Sequence, residues 1–172
     1  MQELIAANFD ISVLNIIFAV TGMFLTALTV FQAKKYIKKN KKWYYFLNLA
    51  YVAGFILLIF SKNWFLFMIC WEMVTLTTAL MLLWVNKRIA TQYFLLQFFG
   101  SSFLLFVVIL AIYHGYSQIG PIPETWLQNL FIFGLGMKSA IFGLHFWLPP
   151  VHSTAPSPVS AILSGWVVKL GF

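Results

Sequence analysis

Apolar residues occur along this chain in six long runs, and short polar links separate one run from the next. Each run approaches the roughly 20 residues that an α-helix needs to cross a membrane. No link has the composition of a boundary between domains. The pattern predicts an all-α membrane protein, a single transmembrane domain over residues 1–172 with about six transmembrane helices. The predicted segments are 11–33, 43–60, 64–85, 90–114, 126–148 and 157–172, and the first two occupy residues 1–60.

Composition supports the same class. Hydrophobic residues make up 62% of the 172 residues and charged residues only 9%. A soluble domain carries about 25% charged residues, so a chain this apolar cannot cover itself with a hydrated surface. The single cysteine, Cys70, excludes an intrachain disulfide and a multi-cysteine metal site. No motif for a nicotinamide, a flavin, an iron–sulfur cluster or a metal is present, so no cofactor is expected.

The positive charge is concentrated in the links on one side of the predicted bundle. The net charge is +7. Two links are basic, the one after the first predicted segment and the one after the third, Lys87-Arg88, and both fall on the same side. Under the positive-inside rule this side is cytoplasmic and the N-terminus lies outside. We therefore expect a multi-pass protein of a bacterial or archaeal cell membrane that contacts lipid headgroups and binds no nucleic acid. The first basic link holds Lys34, Lys35, Lys38, Lys39, Lys41 and Lys42.

Three ionisable residues lie inside apolar segments: Glu72, Lys138 and Lys169. A charge near the centre of a membrane helix costs about 2.5–3.5 kcal/mol on insertion scales. Such residues usually face the interior of a bundle and mark ion or proton pathways. The structural alternatives are a salt bridge for Glu72, a purely structural amine for Lys138, and a Lys169 side chain that reaches to the interface.

Glycines flank the second of these residues in the fifth predicted segment. Gly134 and Gly136 precede Lys138, and Gly143 follows it. Glycine weakens a helix, and a broken membrane helix persists only where it is buried or lines a hydrated cavity. The fifth helix is therefore predicted to be discontinuous.

Two histidines follow the same lysine. His145 comes seven residues after Lys138, which predicts that both lie on one helix face about 10 Å apart. His152 comes after two prolines, near the predicted cytoplasmic side. The series could pass a proton from the membrane interior to that side. The alternative is that both are ordinary hydrogen-bonded histidines.

A polar stripe crosses the fourth predicted segment. Tyr93, Gln97 and Ser101 recur at four-residue spacing and hence lie on one face. They could line a chain of water molecules or form hydrogen bonds between helices. Thr75 lies one turn from Glu72 and is a candidate partner for its carboxylate. Aromatic residues near the predicted helix ends are expected to be interface anchors: Trp43, Tyr44, Tyr45, Trp64, Trp126 and Trp147.

A long motif begins at the buried lysine. Residues 138–171 read KSAIFGLHFWLPPVHSTAPSPVSAILSGWVVKLG. This stretch resembles the antiporter-like proton-conducting subunits of NADH–quinone oxidoreductase (chains M, N and L), of Mrp sodium/proton antiporters (the MrpD type) and of membrane-bound hydrogenases. Residues 67–78 and 90–102 resemble two earlier helices of that family. The resemblance covers residues 61–172, which correspond to the first repeat of the family.

The resemblance implies a function and roles for the residues. Glu72 would be the carboxylate that modulates the lysine, Lys138 the central proton carrier, and Lys169 the next lysine along the hydrated axis. His145 and His152 match histidines of the motif. The chain would be a proton-translocating, possibly Na⁺/H⁺-antiporting, subunit of a multi-subunit respiratory-type or antiporter complex. Its partners would be other membrane subunits, and it would have no redox chemistry of its own.

The sequence also departs from the family pattern. Gly143 stands where the family has proline, and Pro150-Val151 alters the motif before the second histidine. The family has about fourteen helices in two inverted repeats, whereas this chain has about six segments. Two alternatives therefore stay open: a half-module that packs against partners without conducting, and a fragment of a full-length conducting subunit.

Overall fold

Seven α-helices make up most of residues 9–38, 40–141 and 143–171, which are the residues described by the computed structural model. A 3₁₀ turn at His145–Trp147 leads into α6, and α7 continues through a π-turn at Leu163–Val167 into a 3₁₀ turn at Val168–Gly171. The described residues form no β-strand, only two isolated bridges. The helices are α1 (Val13–Tyr36), α2 (Lys41–Phe60), α3 (Trp64–Leu83), α4 (Lys87–Tyr113), α5 (Thr125–Ser139), α6 (Leu148–Thr154) and α7 (Ser157–Ile162).

The polar links set where three of the long helices begin. Ser12, Asn63 and Asn86 each accept a hydrogen bond from a backbone N–H in the first turn of α1, α3 and α4, at 2.7–3.2 Å. These residue types are favoured N-caps because their side-chain oxygen satisfies an otherwise unpaired donor. The cap at Asn86 explains why α4 begins at Lys87, three residues before the predicted segment.

Four helices of the described chain, α1 to α4, are long and apolar enough to cross a membrane. The protein is therefore an integral membrane protein, but the predicted count of about six spanning helices is not confirmed. The fifth predicted segment ends as a helix at Ser139 instead of Leu148. The sixth begins at Ser157, as predicted, but is divided among α7, the π-turn and the 3₁₀ turn.

Consecutive helices pack side by side. From α2 to α5, each helix packs against the next, while α1 packs against α2 and α7, and the final 3₁₀ turn returns to α5. In the most apolar 18-residue stretch of α3, 56% of the residues are buried, whereas in that of α1 only 22% are buried. Helix α3 is thus the interior element, and α1 turns Leu14, Phe24 and Phe31 outward.

The two ends of the bundle differ in charge. The end where α1 and α3 finish and α2 and α4 start is called the basic end here. The links at this end and the helix ends beside them hold most of the basic residues: Lys34, Lys35, Lys38, Lys41, Lys42, Lys87 and Arg88. Lys39 lies outside the described residues.

At the opposite end, the loop between α4 and α5 is tied to the start of α3. The Trp64 indole donates to the Tyr116 carbonyl at 3.1 Å, and the Ile119 N–H donates to the Lys62 carbonyl at 2.8 Å. The Tyr116 hydroxyl donates to Glu124 Oε1 at 2.7 Å. This hydrogen bond to a carboxylate raises the pKa of Tyr116 above its ordinary value. These hydrogen bonds hold the loop against this end of the bundle.

Two apolar clusters form the core, one toward each end. The cluster toward the basic end includes Tyr44 and Trp147, and the other includes Trp64. These three aromatic side chains are 1%, 2% and 6% exposed, so the expectation that they anchor the membrane interface was wrong. Trp43 and Trp126, by contrast, are exposed. The physical reason is that residues near a helix end still fall on its inner face when their position in the helical repeat points inward.

Candidate functional site

The fifth membrane segment is broken just after the buried lysine. Helix α5 ends at Ser139, and Ala140 has a left-handed backbone conformation with φ 52° and ψ 45°. Gly143 has φ 90°, which L-residues with a side chain rarely adopt. The predicted discontinuity is therefore present.

The other two glycines of the predicted break lie within α5. Gly134 packs so closely on α4 that an added Cβ would lie 3.2 Å from the Leu104 Cα atom. Gly136 is similarly approached by the side chain of Ile141. These two glycines allow close packing around an intact helix and do not break it.

The carbonyl groups freed by the break are satisfied inside the protein. The Gly136 carbonyl accepts from the N–H groups of Ala140 and Ile141. The Met137 carbonyl accepts from the Trp147 indole at 2.9 Å. A helix normally leaves its last four carbonyls unpaired, and unpaired groups are costly away from water. Trp147 thus stabilises the broken end of α5.

Lys138 lies in the last turn of α5 and is 1% exposed. Its Nζ donates to Thr75 Oγ1 at 2.8 Å and to the Trp71 carbonyl at 3.1 Å, both on α3. The same Nζ lies 3.9 Å from the centroid of the Trp71 ring, a cation–π contact. The C-terminal end of a helix carries partial negative charge, which also favours a cation. The site is therefore shaped for a buried ammonium group.

Glu72 is an acidic group whose charge bears on this lysine. It follows Trp71 on α3, is half-buried, and lies close enough to Lys138 for an electrostatic interaction. The hydrogen bonds of the Lys138 amine go to Trp71 and Thr75, so Glu72 acts through its charge. Thr75, expected as a partner for the carboxylate, binds the amine instead.

Hydroxyl groups continue from the lysine toward the basic end. Thr75 Oγ1 is bonded to Lys138, and Thr78 Oγ1 donates to the Thr75 carbonyl at 2.9 Å. Thr78 Oγ1 and the Tyr93 hydroxyl are 2.9 Å apart. Tyr93 and Thr78 are both completely buried. Buried hydroxyl groups on α3 therefore extend from the Lys138 amine toward Tyr93 on α4.

The rest of the predicted stripe on α4 is also buried. Gln97 and Ser101 are each 2% exposed. Ser101 Oγ accepts from the Trp71 indole at 3.0 Å, which fixes the ring beneath the lysine. Gln97 Nε2 has no hydrogen-bond partner within the described part of the chain. Whether the stripe lines a pathway stays a prediction.

The structure does not bring the remaining predicted residues to Lys138. His145 is exposed in the 3₁₀ turn after the break, so the prediction that it shares a helix face with the lysine was wrong. His152, on α6, is half-buried, and its Nδ1 lies 2.7 Å from Ser160 Oγ. Lys169 is exposed in the final 3₁₀ turn and lines a cleft beside Phe18.

Sequence reasoning missed three contributors to this site: the Trp71 ring and carbonyl, Thr78, and Trp147. A signal for two of them was present, because Trp71, Thr75 and Thr78 follow helical spacing of four and three residues on one face. Across the described residues, no three His, Cys, Asp or Glu side chains come together to hold a metal ion.

Comparison with known proteins identifies the family. Residues 61–172 match the profile of the family described as NADH:quinone oxidoreductase/Mrp antiporter, TM. Because the match covers more than half of the chain, the protein belongs to this family, and the resemblance stated from its motifs is confirmed.

Individual relatives agree with this assignment. The chain is 31% identical over 164 residues to an NAD(P)H-quinone oxidoreductase chain 4 of Picosynechococcus sp., covering 86% of this chain and 30% of that protein. It is 32% identical to the chloroplastic chain 4 of Nuphar advena, covering 88% of this chain and 33% of the relative. The chain thus spans about a third of the length of the curated relatives it matches.

Solved structures share the fold. A chain of respiratory complex I from Thermus thermophilus superposes with a TM-score of 0.79 at 23% identity, covering 95% of this chain and 41% of that chain. A chain of the Mrp complex from Dietzia sp. gives a TM-score of 0.72 at 18% identity, with 90% and 33% covered.

Proposed function

We propose that this chain is a proton-translocating, antiporter-like part of a multi-subunit membrane complex, and that Lys138 is the group that takes up and releases the proton. The observation that carries the proposal is the burial of this amine at a broken helix end, 1% exposed and bonded only to neutral oxygens among the described residues. An ionisable group in this position is typical of proton relays in membranes.

Glu72 would control whether the amine holds its proton. An ionised carboxylate nearby favours the charged ammonium, whereas burial favours the neutral amine. Protonation or displacement of Glu72 would remove the attraction, and Lys138 would then release its proton. The half-buried position of Glu72, without a hydrogen bond to Lys138, suits such a switch because the pair is not locked together.

The oxygen atoms around the lysine favour protons over sodium as the ion at this site. Sodium would need several oxygen ligands, and Thr75 Oγ1 and the Trp71 carbonyl already accept hydrogen bonds from the amine. Sodium antiport stays the alternative for the complex as a whole.

The energy and the partners would come from other chains. The solved structures of similar fold are subunits of multi-subunit membrane complexes, which supports membrane subunits as partners. We place the N-terminus outside and the basic end in the cytoplasm, because the basic residues concentrate there. Lys169, His145 and His152 are proposed as further stations of the pathway, supported by their match to the family motif alone.

The test is proton uptake by liposomes that hold the whole native complex. With the complex still assembled, Lys138→Met should reduce uptake at least about a hundredfold, as expected when a proton-transfer group is removed. Glu72→Gln should reduce it about tenfold, since only an electrostatic contribution is lost.

Lys87→Met is the matched control, because Lys87 is an exposed lysine at the basic end, and uptake should equal that of the wild type. Normal uptake with Lys138→Met would support the alternative of a non-conducting structural module.

A further inference from the structure

Helix α2 has a buried polar face that the site described above does not include. Tyr44, Asn48 and Tyr51 are spaced by four and three residues, so they lie on one face, called the α2 track here. Their side chains are 1%, 2% and 0% exposed. The track begins one turn from the basic end and extends about 10 Å toward the middle of the membrane.

The polar atoms of the track are unpaired. The hydroxyls of Tyr44 and Tyr51 and both amide atoms of Asn48 have no hydrogen-bond partner among the residues that the structure describes. The Tyr44 hydroxyl faces Asn48 and Thr29 of α1 without forming a hydrogen bond to either. Buried polar groups in native proteins are hydrogen-bonded, either to protein or to ordered water. Four unpaired atoms in one row indicate water.

There is room for water beside the track. A groove of about 430 Å³ between α1 and α2 is lined by Asn48 and Thr26. One water molecule needs only about 10–15 Å³ of such space and two to four polar partners. The amide of Asn48 and the hydroxyl of Thr26 supply those partners.

The inner end of the track lies near the hydroxyl row that leads to the lysine. Tyr51 and Tyr93 belong to one buried cluster and lie close enough to interact electrostatically. Tyr93 is 2.9 Å from Thr78 Oγ1, one turn from Thr75, which bonds to Lys138. Buried polar groups therefore recur between the basic end and the amine, with a gap between Tyr51 and Tyr93 that no direct hydrogen bond spans.

We propose that the α2 track is hydrated and carries protons between the basic end and Lys138, by way of Tyr93, Thr78 and Thr75. Thr78 Oγ1 is bonded to the Thr75 carbonyl, which cannot relay a proton, so water must bridge the hydroxyls of Thr78 and Thr75, and also those of Tyr51 and Tyr93. Each hydroxyl or water in the row then accepts one proton and passes another on, so only O–H bonds form and break and no net charge stays on the row. This inference rests on the proposed function of Lys138. It makes α2 a route from the basic end that is separate from the histidines after the break.

Hydration is tested first, independently of transport. In a Cys70→Ala background of the assembled complex, Asn48→Cys should react with a charged, water-soluble methanethiosulfonate reagent. Leu47→Cys is the matched control, since Leu47 is a buried apolar neighbour, and it should not react. Equal lack of reaction at both positions would overturn the proposal.

Transport is tested next, in liposomes that hold the whole complex. Tyr51→Phe should reduce proton uptake about tenfold, because one hydrogen-bonded step is lost. Tyr113→Phe, the same change at a position 85% exposed on α4, should leave uptake unchanged. If uptake is normal with Tyr51→Phe but is lost with Lys138→Met, the route is overturned and the proposed function stands. Normal uptake with Lys138→Met would instead remove the proposed function and the route with it.

Discussion

Lys138 and Lys169 occur in equally apolar stretches of sequence, yet their surroundings differ completely. Lys138 is 1% exposed, with two hydrogen bonds and an aromatic ring against its amine. Lys169 is exposed on the final turn, beside a cleft. An apolar run therefore does not by itself determine how a lysine side chain is held. The site at Lys138 depends on a helix that stops beside it and on α3, which supplies oxygens at the same depth.

The largest expected effect compares these two lysines directly. Lys138→Met should reduce proton uptake at least about tenfold more than Lys169→Met in the same liposome assay, because only the buried amine has dedicated partners. Equal losses would mean that Lys169 is as enclosed in the whole protein as Lys138, and the contrast between them would fail.

The next largest effect concerns the break that creates the difference. Gly143→Ala should destabilise the protein by about 1–3 kcal/mol, since alanine is strained at φ 90°. The free energy of unfolding in detergent is the measurement. Gly120→Ala is the control, because neither glycine has an atom of the described chain within 4 Å of an added Cβ and only Gly143 has a positive φ. Equal stability of the two variants would contradict the account.

A smaller effect is expected from Thr75, whose hydroxyl accepts a hydrogen bond from Lys138 and has no counterpart at Lys169 in the described chain. Thr75→Val removes one of the two hydrogen-bond acceptors of Lys138 and should slow proton uptake about tenfold or less. Thr75→Ser keeps the hydroxyl and should restore most of the uptake. If the serine variant is as slow as the valine variant, the hydroxyl is not the relevant feature.

The smallest effect should come from the residue that stabilises the broken end. Trp147→Phe removes the hydrogen bond to the Met137 carbonyl and should cost about 0.6 kcal/mol, the average found for such bonds in membranes. Unfolding in detergent measures this cost. Trp126→Phe, at a half-exposed position on α5, should cost less, and the reverse order would contradict the assignment.

Much of the architecture could be predicted from the sequence because its signals are local. Apolar runs separated by short polar links indicated the long helices, and the buried charge of Lys138 indicated the site. The break could be anticipated from glycine, but its position depends on Ala140, whose left-handed conformation has no local signal.

The errors have one cause, which is that contacts between distant parts of the chain outweigh local spacing. His145 was expected on the helix of Lys138 because of seven-residue spacing, but the helix ends before it. Trp147 was expected at the membrane interface, yet its indole bonds to a carbonyl ten residues earlier. The unpaired face formed by Tyr44, Asn48 and Tyr51 became visible only when neighbouring helices were in place.

The central claim is that the amine of Lys138 must lose and regain a proton, beyond holding a positive charge. Lys138→Arg tests this most directly, because arginine keeps the charge and the donors but does not release its proton in proteins. Proton uptake should be measured in liposomes holding the assembled complex. The account predicts that uptake is lost although the complex assembles. Uptake at the wild-type rate would show that a fixed charge suffices and would contradict the account.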